Sequence, residues 1–200
     1  MLSKTFGIAV ASALGAFGAA AVGQTMTFYW SPNRITISPA NPSGTSWLLA
    51  TWNTNGPPEV GFAQDLLDVL ATNFDGTTDS VVWTPNPTIS AYTNGFGSPQ
   101  PNGDVIDIDL FQLPPFYNPY FDATHPLVLG ALTFSTVGFT PRTIMFKDQN
   151  HRNTAVYADD FGTLLYLVPI DPGVDFIVVP TPGTLATLGL ALGVAARRRR

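Results

Sequence analysis

Nine short runs rich in aromatic and β-branched residues, each stopped by proline, glycine, asparagine or aspartate, dominate the interior of the sequence. They fall at residues 26–30, 46–52, 80–84, 105–111, 127–137, 143–146, 154–157, 163–168 and 174–179. Runs of this length suit strands, and the 18 prolines and 18 glycines supply the breaks at which the chain turns back. The spacing predicts an all-β domain, an antiparallel β-sandwich or jelly-roll-like fold. One segment departs from the pattern. In residues 57–74, Ala63, Leu66, Leu67 and Leu70 fall at helical spacing, Pro57 or Pro58 suits a first turn, and residues 73–76 suit a stop. One short helix laid on or capping the sheets is expected there. Residues 92–103, rich in proline, glycine and asparagine, read as a long surface loop, and no repeat recurs at a fixed period.

The two ends carry a different kind of information. Residues 1–23 read as a secretory signal peptide: Lys4 supplies the positive start, an uncharged run follows, and Ala21, Val22 and Gly23 form a small-x-small site for signal peptidase before Gln24. At the other end, Pro180 and Pro182 stop the last strand, because each fixes φ, lacks an amide donor and holds its predecessor extended. A run of small and aliphatic residues from Thr184 to Ala196 then leads to Arg197, Arg198, Arg199 and Arg200. As a helix this run spans roughly 20 Å, short for a bilayer core of about 30 Å. The arginines act as a stop-transfer cluster and place that end on the cytoplasmic side.

This order resembles the PEP-CTERM sorting signal: a Pro-x-Pro motif, a transmembrane helix and a terminal arginine cluster. The usual glutamate between the prolines is Thr181 here, followed by Gly183. The resemblance covers only about the last twenty residues. It implies an exosortase-type membrane protease as partner, with Pro180, Thr181, Pro182 and Gly183 as the sorting and cleavage motif. It further implies a transient inner-membrane stage before delivery to the cell surface or extracellular matrix. The chain thus divides into a signal peptide (1–23), an exported domain (24–179) and a sorting signal (180–200).

The exported segment, roughly 155 residues, is long enough for one domain with a core of its own. All fourteen acidic residues lie in it, against Arg34, Arg142, Lys147 and Arg152, giving a formal charge of −10. That balance excludes a basic footprint for nucleic acid. With no cysteine, neither disulfides nor a thiolate metal site braces the fold.

Candidate chemistry is sparse. There is no Gly-x-Ser-x-Gly, and the only imidazoles, His125 and His151, sit in polar or proline-bounded stretches that read as surface loops. Glu59 is the sole glutamate, so a polysaccharide hydrolase would need a pair of aspartates. Asp104, Asp107 and Asp109 form the densest acidic group. On a regular strand Asp107 and Asp109 share one face while Ile106, Ile108 and Leu110 share the other. Such a strand is either half-buried with a solvated edge or part of a Ca²⁺ site built from hard oxygen ligands. A proline-stiffened loop carries Phe116, Tyr117 and Tyr120, rings suited either to plugging the end of a sandwich or to stacking on sugars as a carbohydrate-binding module. The sequence favours a non-enzymatic surface or matrix protein with a structural or adhesive role, with extracellular polysaccharide as a candidate partner.

Overall fold

The computed structural model describes residues 24–54, 59, 61–90, 96–112, 125–170 and 173–180. Twelve strands and a single helical turn are found among them: β1 Thr25–Ser31, β2 Arg34–Ile37, β3 Ser43–Asn53, β4 Gly61–Thr72, β5 Asp79–Pro85, α1 Pro87–Ser90, β6 Phe96–Pro99, β7 Val105–Phe111, β8 Leu127–Thr136, β9 Arg142–Tyr157, β10 Leu164–Tyr166, β11 Val168–Ile170 and β12 Gly173–Val178. One sheet has the order β11-β1-β3-β8-β5. The other has the order β2-β12-β9-β4-β7-β6, with β10 added on β9. Pairing is antiparallel except for β1 with β11 and β2 with β12. The chain changes sheets between β1 and β2, so its first extended stretch serves both layers.

Alternation in the sequence decides which side chains meet between the sheets. Met26, Phe28 and Trp30 of β1 and Leu48, Ala50 and Trp52 of β3 point inward, with Leu132 and Phe134 of β8 beside them. From the other sheet come Leu67 and Val69 of β4, Ile144 and Phe146 of β9, and Val174 and Phe176 of β12. Rings fill one end of this core: Phe134, Phe146 and Phe176 lie 5.2–6.2 Å apart between centroids, at tilted or edge-on angles. Gly130 is needed for a close approach, since a Cβ there would stand 2.3 Å from Cζ2 of Trp83.

The sequence expectation fails at residues 57–74. The described part of that segment is β4, a central strand hydrogen-bonded to β9 on one side and β7 on the other. Its position explains the false helical spacing. Burial alternates strictly from Ala63 to Leu70, and the register shifts between Gln64 and Leu66 and between Leu66 and Asp68 place their extra residues on β9. Leu66 and Leu70 are half-buried on the outer side while Leu67 and Val69 fill the core, so apolar residues fall on both faces. The only helix among the described residues is the four-residue turn α1. Part of the expected long loop is likewise strand: β6 pairs with β7, and a tight turn closes it with Gly103 N donating to Gln100 O at 2.9 Å. Runs 143–146 and 154–157 belong to one long strand, β9.

Candidate functional site

Strands β4, β7 and β9 are irregular at the same level of the sheet. Asp107 on β7 and Asn150 and Asn153 on β9 have φ of 55°, 56° and 59°. This left-handed conformation is uncommon outside glycine, and Asn and Asp tolerate it best. Each such residue rotates the strand beyond it, so groups three apart in sequence come to share a face. The result is one polar network on the outside of the sheet and another inside the core.

The outer network is a strip of short contacts. Asp68 accepts the amide of Asp107 at 2.9 Å through Oδ1 and the side-chain amide of Asn150 at 2.9 Å through Oδ2. Arg152 Nη2 lies 3.6 Å from Asp68 and 3.5 Å from Asp107. Gln64 donates to the carbonyl of Asn153 at 3.0 Å. Beside these groups a shallow cleft of about 210 Å³ is lined by Asp65, Asp109, Phe111 and Arg152. Burial against this surface pushes the Asp109 carboxyl above the ordinary aspartate range.

The inner network is built on His151, whose side chain is 1% exposed. Its Nδ1 lies 2.7 Å from Asp65 Oδ2, and its Nε2 faces Asp148 Oδ2 at 3.7 Å. Thr154 donates to Asp65 Oδ1 at 2.8 Å, and Trp30 Nε1 donates to Asp148 Oδ1 at 3.2 Å. The Phe28 ring tilts over the imidazole with centroids 4.4 Å apart. Asp, His and a hydroxyl in sequence suggest a catalytic triad, but the geometry is different. A triad aims the imidazole at a nucleophile open to substrate. Here the imidazole is enclosed in the core, with a carboxylate beside each ring nitrogen. The expectation of two loop histidines is therefore corrected for His151; His125 lies in an exposed bend before Pro126.

The three predicted acids take separate places. Asp104 accepts the Ala71 amide at 2.7 Å and the Asn102 side-chain amide at 2.6 Å, tying a turn to the end of β4. Asp107 and Asp109 both face outward, as the alternation implied. Ile106 does not follow Ile108 and Leu110 inward, because the left-handed Asp107 displaces it and Val105 takes the core position. Among the described residues no group of three or more His, Asp or Glu side chains is arranged to hold a metal ion. Pro180 follows β12 directly, where Val179 N donates to Ile37 O at 2.9 Å. Phe116, Tyr117 and Tyr120, the rest of the sorting motif (Thr181, Pro182 and Gly183), Arg197 to Arg200 and the signal peptide lie outside the described residues.

The sandwich is similar to the seventh ScaB type I cohesin of Pseudobacteroides cellulosolvens, with a TM-score of 0.52 and 10% identity over 78% of this chain and 94% of that one. The fold is cohesin-like. Weaker likenesses include the sixth cohesin of scaffoldin B from Acetivibrio cellulolyticus, at 11% identity, 80% and 99% coverage and a TM-score of 0.47. A cohesin of Clostridium thermocellum solved in a cohesin–dockerin complex gives 11%, 76% and 99%, and 0.47. No family model and no curated protein sequence matches the chain. At this identity the cohesin-like sandwich is a shared architecture.

Proposed function

We propose that residues 24–179 form an exported, non-enzymatic surface module with a structural or adhesive role. In this reading signal peptidase releases its start, and an exosortase-type protease handles its C-terminal signal. The observation that carries the proposal is the enclosure of its chemistry within a cohesin-like sandwich. The one buried imidazole among the described residues sits between Asp65 and Asp148, away from solvent, and the outer aspartates Asp68 and Asp107 face Arg152. Such groups fix strands together, and the cleft beside the outer ones is shallow, about 210 Å³.

The position of the termini suits display. Val178 pairs with Arg142 and Ile37 at one end of the sandwich, whereas Thr25 pairs with Asn53 and Val168 at the other. A chain held at a membrane through residues 180–200 would therefore stand on the first end.

The purified protein, incubated with a panel of soluble and insoluble polysaccharides, is expected to release no reducing ends above the level of a boiled control. Steady product formation that is lost in Asp68→Asn or Asp109→Asn would reject the non-enzymatic reading and favour a carboxylate-pair hydrolase.

A further inference from the structure

The outer face of the five-stranded sheet carries no charge. Strands β1, β3, β8 and β11 contain no charged residue, and Asp79, the only one in β5, is buried with its side chain turned from solvent. On an exported domain of formal charge −10, a whole sheet face free of acids is a selective omission. Near the middle of this face stands Trp47, 47% exposed. Its neighbours in register are small, Ser31 on β1 and Ala131 on β8. Around it the face is studded with hydroxyls. Thr45 and Thr133 share a hydrogen bond of 2.9 Å, and Ser80 and Ser135 share one of 2.8 Å. Each such pair consumes one hydrogen and leaves a second hydrogen and several lone pairs free to point outward.

We infer that this face docks an uncharged polysaccharide, with Trp47 stacking on a sugar ring and the flanking serine and threonine hydroxyls bonding to its hydroxyl groups. An exposed indole supplies a large rigid apolar surface, and hydroxyls meet the donor and acceptor pattern of a sugar. A polyanion is disfavoured by the charge of the domain. A second copy of the chain is a poorer fit. Five strands at about 4.8 Å spacing and about 25 Å length give roughly 600 Å² of projected face, less than the ~800 Å² of accessible surface that each partner of a stable interface buries. The face also lacks arginine, a favoured anchor of protein interfaces, although Val82, Val168 and Ile170 are exposed on it beside the hydroxyls. The inference names the partner of the adhesive role proposed above and rests on it; export is read separately, from the location and ends of the native protein.

The test is affinity electrophoresis of the full chain through gels containing hydroxyethylcellulose, glucomannan or dextran, with alginate as the anionic comparison, alongside sedimentation of the protein alone. Trp47→Ala and, as an independent probe of the face, Val82→Asp are compared with the parent, and melting curves establish that each is folded. Retardation by at least one uncharged polymer, weakened about tenfold or more in both variants at unchanged melting temperature, is expected. Retardation by none of the uncharged polymers, or by alginate alone, would overturn the proposal, as would equal retardation of parent and variants. A dimer in sedimentation that both variants dissociate, without polymer binding, would assign the face to a second copy.

Discussion

Replacing His151 with alanine should cost the domain about 3–5 kcal/mol, read as a fall in the urea midpoint at unchanged slope. The size follows from what is left behind. Asp65 and Asp148 are both buried, and the imidazole stands between them at 2.7 and 3.7 Å. Removing it leaves two carboxylates facing a cavity in the core with only Thr154 and Trp30 as donors from the network. A loss of that size is a large part of the 5–15 kcal/mol by which domains are typically stable. The variants should be strongly non-additive, because Asp65→Ala removes one of the carboxylates that His151 accompanies. The double variant should then lose clearly less than the two single losses together. A loss under about 1 kcal/mol for His151→Ala would mean that the side chain is not enclosed as described.

A comparable loss, about 3–5 kcal/mol, is expected for Arg142→Met. Arg142 sits at the start of β9 in one sheet and Asp79 at the start of β5 in the other, and they form an ion pair across the end of the sandwich. The Asp79 side chain is fully buried and that of Arg142 is 18% exposed, so this is no surface pair. Both partners make further hydrogen bonds, although Arg142 Nε has none. Asp79 also accepts the amide of Asp75 at 2.8 Å and the hydroxyl of Thr78 at 3.2 Å. Arg142 donates through Nη1 to the carbonyls of Gly138 at 3.0 Å and Thr140 at 3.1 Å. Methionine keeps much of the volume but leaves the carboxylate buried without its cation. Arg142→Lys should recover only part of the loss, because an ammonium cannot reproduce the fork that spans Asp79 and the two carbonyls. If Arg142→Lys is as stable as the parent, the planar fork contributes nothing beyond charge.

Where strands are regular, the sequence was a good guide. The runs at residues 26–30, 46–52 and 105–111 were legible as β1, β3 and β7, and the structure adds which of their residues are buried. The failures have separate causes. In β4 the buried Ala63 and Leu67 and the half-buried outer Leu66 and Leu70 put apolar residues on both faces, at a spacing that mimics a helix. Extra residues in β9 hid the inner network. Asp148 and His151 are three residues apart, a separation that puts side chains on opposite faces of a regular strand, and only the left-handed Asn150 brings both inward. Asn150 and Asn153 were the faint signal available, as residues that tolerate that conformation. By contrast, the neutral outer face was present in the sequence as four strands without a charge. It had no meaning until the sheet order set them side by side.

The account's central claim, a surface module delivered by signals at both ends, is tested most directly by mass spectrometry of the protein recovered from the surface of its native cells. The account predicts a mature species that begins near Gln24 and lacks Arg197 to Arg200, and a retained precursor when those four arginines are replaced by serine. Recovery of the protein only from the cytoplasm, with residues 1–23 still attached, would contradict it.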